Sequence, residues 1–231
     1  TNSYFTGFSH VNLSGVGCSE LSSLLVMATT GDLDVDYHNY GTTYSDKHAS
    51  PGFYGLELDK YGVKAEATAT ARTGRIRFIF PQGKGNILLN LGEGLTNESG
   101  ATVHRISDTE VAGCKLMGTF CYNPNAVFPL YFAMRVSKKP SDQGFWKFQR
   151  PKKGVEAEWD VDDAKYKIYP NFGKTMSGDD IGVWYSYDTE SEEVIEVSVG
   201  VSFVSEENAM LNLNTEQAAG VSFDELHSSA R

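Results

Sequence analysis

A histidine set among small polar residues is the first group in this chain whose type and setting could do chemistry. His10 lies in Gly7-Phe8-Ser9-His10-Val11-Asn12-Leu13-Ser14-Gly15, where Asn12 and Ser14 add an amide and a hydroxyl at two-residue spacing. These groups both donate and accept hydrogen bonds, so they can hold a polar ligand or a neighbouring domain. The glycines and poor strand character predict a loop, and loops on a rigid scaffold are where ligand contacts gather. The alternative is local: Ser9 and His10 satisfy the backbone of a tight turn that the glycines permit.

A second group is the acidic run Glu156, Glu158, Asp160, Asp162 and Asp163, which offers the oxygen ligands that calcium prefers. An EF-hand loop also needs a glycine in its middle, and that glycine is missing here. Alternation puts Glu156, Glu158 and Asp160 on one face of a strand, opposite Val155, Ala157 and Trp159, which fits a solvated strand face better than a metal loop. Asp179-Asp180 and Glu190, Glu192, Glu193 read as turns. Cys18, Cys114 and Cys121 contain no C-x-x-C pair, which argues against zinc or dithiol chemistry. Cys114 and Cys121 can pair across strands in an oxidising compartment, or the thiols are simply buried. Trp146, Trp184, Tyr185 and Tyr187 could form a stacking platform, but the last three share an alternating strand, so some rings must point inward.

Period-two alternation must position all of these groups. Val63, Ala65, Ala67, Ala69 and Ala71 alternate with Lys64, Glu66, Thr68 and Thr70, and small alanines on one face imply close approach by another element. After a turn at Thr73-Gly74, Ile76, Phe78 and Phe80 alternate with Arg75 and Arg77, which predicts a hairpin, and Lys64, Arg72 and Arg77 sit in strands where an ion pair with Glu66 is the simple reading. Phe128, Leu130, Phe132, Met134, Val136 form another such set, and Ile195, Val197, Val199, Val201, Phe203 a third. The continuous run Ile87-Leu88-Leu89 predicts a strand buried on both faces. Helix is predicted only near the end, over Ser205 to Leu213 and after a capping box at Ser222-Phe223-Asp224-Glu225. Many strands parted by Gly- and Pro-rich turns give an all-β sandwich of two antiparallel sheets.

A length of 231 residues suits one large sandwich, and 40% apolar content with 12% aromatics supports a buried core. A net charge of −10 argues against nucleic acid and anionic membrane surfaces as partners. No window is apolar enough to span a membrane.

Three ordered blocks carry a family resemblance. The first is G-F-S-H-x-H-L-S-G-x-G-C, matched at Gly7, Phe8, Ser9, His10, Leu13, Ser14, Gly15, Gly17 and Cys18, with Asn12 in place of the second histidine. The second is the P-G-Y-Y…Y-G-I-K-A-E-x-T-A-T-x-R-T-G…R-Y-x-F-P signature, matched at Pro51, Gly52, Tyr54, Tyr61, Gly62, Lys64, Glu66, Thr68, Thr70, Arg72, Thr73, Gly74, Arg77, Phe80 and Pro81. The third is the run from Gly200 to Asn214. Together they resemble the N-terminal, non-catalytic half of family 92 glycoside hydrolases, the calcium-dependent exo-acting α-mannosidases.

The resemblance implies a galactose-mutarotase-like supersandwich over 1–204 and the start of a helical linker over 205–231. It implies that the chain opens inside the family's first domain, and that the helical catalytic domain, a partner for this one, lies beyond Arg231. That domain would hold the calcium and both carboxyl groups of an inverting mechanism, which stand roughly 6.5–9.5 Å apart. No catalytic residue and no metal ligand is then expected here. His10, Asn12 and Ser14 become contacts to mannose hydroxyls or to the catalytic domain. The family's Ser-His-x-x-Glu is replaced by Ser45, Asp46, Lys47 and His48, so no substrate contact carries over there. The implied substrate is an α-mannoside glycan, α-1,2 by default, and the implied compartment is periplasmic or secreted. A stand-alone carbohydrate-binding module is the alternative. The helices of an isolated sandwich are further expected to leave their apolar faces, around Phe223, exposed.

Overall fold

The computed structural model describes residues 4–12, 21–95, 98–118, 123, 125–149, 166–171 and 173–230. Two antiparallel sheets enclose one continuous core. The six-stranded sheet runs β1 (Phe8–Asn12), β2 (Leu21–Thr30), β7 (Gly83–Asn90), β14 (Ile181–Thr189), β11 (Asp142–Phe148), β12 (Tyr166–Pro170). The nine-stranded sheet runs β13 (Thr175–Gly178), β8 (Glu98–Arg105), β9 (Glu110–Met117), β10 (Phe128–Val136), β15 (Glu193–Ser202), β6 (Thr73–Phe80), β5 (Val63–Ala69), β4 (Phe53–Leu58), β3 (Tyr44–Ser50). This is the sandwich that the alternation predicts.

The alternating residues fill the core. Phe78, Phe80, Phe132, Met134, Ile195, Val197 and Val199 are buried in one cluster with Val26, Ile87, Leu89 and Phe145 of the other sheet. Burying an apolar side chain of this size stabilises by ~1.5–3 kcal/mol relative to leaving it in water. Ile87, Leu88 and Leu89 are all fully buried, as a run without alternation requires of a strand flanked by β2 and β14. Trp146 lies across Gly182, where a Cβ would stand only 2.1 Å from the indole ring.

Several local expectations change. The hairpin turn falls at Thr70 to Arg72, because Thr73 and Gly74 already pair with Gly200 and Val199 of β15. Phe203 lies past the end of β15 and is exposed. The predicted loop at His10 is instead an edge strand, β1, with an irregularity between Phe8 and His10. A one-turn helix, α1 (Tyr37–Tyr40), was not expected; the Asp36 carboxylate accepts from the His38 N–H at 3.0 Å and starts it.

The C-terminal helices are α2 (Glu206–Glu216) and α3 (Phe223–Ser229). Helix α2 is capped by Ser205, where the predicted helix begins, and continues three residues past Leu213. The Ser222 capping box is present, with Ser222 Oγ accepting from the Glu225 N–H at 3.2 Å and Glu225 Oε2 from the Ser222 N–H at 2.8 Å. The expected exposure of their apolar faces is overturned. Ala209, Leu213, Phe223 and Leu226 are buried, with α2 packed on β15 and β10 and α3 on β5. The sandwich supplies its own cover for the outer face of the nine-stranded sheet.

Candidate functional site

A groove of about 940 Å³ opens where β1, the β5–β6 hairpin, the end of β15 and α2 meet. His10 and Asn12 line it, so the structure brings these two together with Gly52, Thr70 to Arg75, Phe203 and Asn212. Ser14 lies outside the described residues, as do the acidic run at Glu156 to Asp163, Cys18 and Cys121.

The chemistry of His10 follows from its partners. Its Nδ1 is 2.9 Å from the Leu24 carbonyl oxygen. A carbonyl only accepts, so Nδ1 carries the hydrogen and the neutral ring keeps its lone pair on Nε2. The ring crosses from the six-stranded sheet onto Gly74 of the other, where a Cβ would meet Nε2 at 3.0 Å. Glycine at 74 is what admits the imidazole. Burial lowers the His10 pKa below the ordinary histidine value, and the bond to Leu24 only partly opposes that shift.

Asn12 is exposed, and its Oδ1 accepts from Ser9 Oγ at 3.2 Å and from Ser22 Oγ. Its amide N–H groups have no partner among the described residues. Between His10 and Asn12, Val11 has φ +58°, a left-handed conformation that costs a β-branched residue roughly 1–2 kcal/mol. The strand is therefore held in a strained course at the residues that face the groove.

The opposite wall is fixed by helix α2. Glu216 accepts from Thr70 Oγ1 at 2.5 Å, from the Arg72 backbone N–H at 3.0 Å and from Arg72 Nε at 2.5 Å. Desolvation alone would raise the Glu216 pKa, but these bonds and the Arg72 charge outweigh it and hold the carboxyl below its ordinary value. Gln217 donates to Thr73 Oγ1 at 2.7 Å and to the Gly74 carbonyl at 3.0 Å, and accepts from Arg75 Nε at 2.9 Å. Arg75 also donates to the Val221 carbonyl at 2.6 Å and lies 3.5 Å from Glu196 Oε2. Neither Glu216 nor Gln217 stands out in the sequence, since each partner lies more than 140 residues away. The only signal was the Thr70, Arg72, Thr73, Gly74 cluster itself.

The remaining candidates have structural roles. Arg77 pairs with Glu66 at 2.7 Å, as predicted, and its guanidinium lies 4.2 Å from the Phe223 ring centroid. Trp146, Trp184, Tyr185 and Tyr187 are all buried, so they form no stacking surface. Cys114 is a half-buried free thiol on β9. Among the described residues no carboxylate lines the groove, and no three His, Cys, Asp or Glu side chains gather as a metal site. The residues present thus do not fit a calcium ion, and no chemical step at the groove can be routed through one.

The sequence profile of the glycosyl hydrolase family 92 N-terminal domain matches residues 1–202. The family GH92 α-mannosidase BT3965 of Bacteroides thetaiotaomicron, solved in complex with mannoimidazole, superposes with a TM-score of 0.80 at 28% identity. The match covers 99% of this chain and 29% of that one. The GH92 family glycosyl hydrolase ccman5 gives a TM-score of 0.76 at 25% identity, over 99% of this chain and 30% of its own. The inverting mannosidase BT2199 of Bacteroides thetaiotaomicron VPI-5482 shares the fold, with a TM-score of 0.70 at 16% identity over 99% and 30% of the two chains. This chain thus spans under a third of the length of these solved relatives. No curated protein matches the sequence.

Proposed function

The chain belongs to the glycosyl hydrolase family 92 N-terminal domain family, and on that premise we propose that it is the non-catalytic sandwich of a calcium-dependent, inverting α-mannosidase. The carrying observation is the pairing of a family match over residues 1–202 with a groove that holds no carboxylate among the described residues. An inverting glycosidase needs one carboxyl group to protonate the leaving oxygen and another to activate water. Both, with the calcium, are assigned to a helical catalytic domain, the kind of segment for which the relatives' additional length leaves room. In this reading the groove faces that domain. His10 offers Nε2 as an acceptor, Asn12 offers its amide, and Ser14 adds a hydroxyl, either to mannose or to the catalytic domain. The substrate is a glycan with terminal α-1,2-linked mannose, met outside the cytoplasm.

Mannose release from α-1,2-mannobiose tests this, with calcium and then with EDTA, using the 231-residue chain and a form extended to the relatives' length. The expected result is no release by the chain alone and calcium-dependent release by the extended form. Calcium-dependent release by the chain alone would place the acid and base among these residues and overturn the assignment.

A further inference from the structure

A second cavity, of about 600 Å³, lies on the outer face of the nine-stranded sheet, where the loop joining α2 to α3 crosses it. Its floor is set by strand register. Arg75 of β6 stands beside Ser198 of β15, and Ser198 beside Arg135 of β10, so two arginines flank one serine across three strands. Neighbouring strands lie ~4.8 Å apart, which puts the two arginine backbones about 10 Å apart with both side chains on one face. Glu196 and Ser137 continue the floor, and Asn214, Gln217 and the loop from Ala218 to Val221 complete the wall.

The bonds already made there decide what the cavity can receive. Arg75 donates from Nε to Ser198 Oγ at 3.3 Å and to Gln217 Oε1 at 2.9 Å, and from Nη1 to the Val221 carbonyl at 2.6 Å. All three partners line the cavity, as does Glu196, 3.5 Å from Nη1, so the guanidinium itself stands at the cavity wall. The Arg75 side chain is only 9% exposed, and its Nη2 has no hydrogen-bond partner among the described residues. Unlike the sealed indole nitrogens of Trp146 and Trp184, that Nη2 keeps access to solvent. Arg135 gives Nε to Glu110 Oε1 at 2.8 Å and Nη2 to Asn214 Oδ1 at 2.7 Å, which leaves Nη1 without a partner among the described residues. Asn214 Oδ1, Gln217 Oε1, Ser198 Oγ and Ser137 Oγ each already accept a bond. The groups left over are donors: two guanidinium edges, the Asn214 amide and two hydroxyl hydrogens.

A donor-rich wall with two guanidiniums selects an anion. Burial lowers the Arg75 pKa below the ordinary arginine value; Glu196 opposes that shift and the Arg135 charge adds to it. An anion between the arginines would answer both the desolvation and the repulsion. The charge count decides which anion. Two guanidiniums and the Glu196 carboxylate leave one positive charge at the wall, while Glu110, the ion-pair partner of Arg135, does not line the cavity. A monoanion cancels that charge, whereas a phosphate dianion overshoots it and is repelled by Glu196. Glu196 in turn is an acceptor that a ligand hydroxyl can answer. The volume lies within the range of small-molecule pockets and has room for a single sugar-sized ring. We propose that this cavity binds a small hydroxycarboxylate, its carboxylate bridging Arg75 Nη2 and Arg135 Nη1 and its hydroxyls meeting Glu196 and Asn214. The inference stands independently of the α-mannosidase reading.

Isothermal titration calorimetry of the 231-residue chain, at neutral pH and low salt, tests this with sodium D-glucuronate, methyl β-D-glucopyranoside and inorganic phosphate. Saturable binding of glucuronate with a millimolar Kd is expected, weakening as salt is raised. The glucoside, a similar ring without the charge, should not bind, and phosphate should bind more weakly than glucuronate. Arg135→Gln removes one end of the bridge and should weaken glucuronate about tenfold or more. Asn214→Ala, at an exposed position where folding is not at stake, should weaken it about threefold. No saturable heat up to about 50 mM glucuronate, a glucoside or phosphate that binds as tightly, or a Kd that neither variant raises overturns the site. None of these results bears on mannose release by the extended enzyme, so the two readings fail separately.

Discussion

Glu216→Ala is the sharpest test of how the groove is held together. The substitution removes three hydrogen bonds to a charged acceptor: from the Thr70 hydroxyl, the Arg72 backbone N–H and Arg72 Nε. The Glu216 side chain is only 12% exposed, and hydrogen bonds to ionised partners contribute ~1.5–3 kcal/mol each, with the exposed Arg72 N–H bond at the low end. The Arg72 guanidinium is 58% exposed, so screening leaves its ion pair at about 0.5 kcal/mol or less. Against this, Glu216 is the last residue of α2, where a negative charge opposes the helix dipole by roughly 0.3–1 kcal/mol. The net expectation is a loss of about 3 kcal/mol, or a fall in Tm on the order of 6–12 °C for a chain of this size. Urea denaturation followed by tryptophan fluorescence measures it, with an unchanged m-value as the check that only the native state is affected. Arg72→Ala is the comparison. It keeps the backbone N–H bond and the Thr70 bond, so it should cost under about 1 kcal/mol. The Glu216 carboxyl is held below its ordinary value of 4.5, so its contribution is complete above that pH and fades as pH falls through the folded-state value. The gap between wild type and Glu216→Ala should therefore narrow on acidification. Equal losses for the two variants, or a gap that widens in acid, would refute the idea that Glu216 acts by clamping the hairpin backbone.

Gly74→Ala puts a methyl 3.0 Å from His10 Nε2 and should destabilise by about 1–3 kcal/mol; adding His10→Ala should recover part of that loss, as a double-mutant cycle by urea denaturation would show. Because burial lowers the His10 pKa, the unfolded chain takes up this proton first as pH falls. The stability contributed by neutral His10 is then present above the ordinary value of 6.5 and is lost below it. An NMR titration should place the His10 midpoint below 6.5, and His10→Asn should flatten the decline in stability over that window. Ending the chain at Val204 strips Leu213, Phe223 and Leu226 from the sandwich and leaves Arg75 without Gln217 and Val221. At ~1.5–3 kcal/mol per apolar side chain, plus the lost Arg75 bonds to Gln217 and Val221, the loss approaches the whole stability of a domain, and circular dichroism should show no cooperative unfolding.

The sandwich was legible because its signal is local. Sets such as Ile195, Val197 and Val199 carry their burial in their own period, and the Ser222 capping box closes over four residues. The family blocks drew attention to the stretch around His10. What stayed hidden depended on distant partners. Nothing near Arg75 says that a helix will cover it, and alternation alone assigns it to solvent; Gln217 and Val221 bury it instead. The same holds for the apolar face of α2, which finds Ala112 and Ala133 on two strands far back in the chain. His10 lines the groove, but its place on an edge strand depends on pairing with β2 that its glycine-rich neighbours obscure.

The composition of the groove bears on which role His10 and Asn12 take. A site for a free sugar needs polar groups along most of its wall, because each ring hydroxyl stripped of water must be answered. Here the walls are largely Ala67, Ala69, Ala71, Ile76, Val199 and Val201, with Phe203 and Val204 exposed at the rim. An open apolar surface edged by polar groups suits protein contact. His10 and Asn12 lie on the β1 side of it, with a ring nitrogen able to accept and an amide able to donate. Such an arrangement favours contact with a second domain over a mannose ring seated in the groove itself. In that case His10→Ala in the extended enzyme would disturb how the two domains meet, and sugar would be met only where His10 and Asn12 reach the edge of the contact. The strain at Val11 is consistent with this, since a left-handed residue is worth retaining where it aims its two neighbours at a fixed partner.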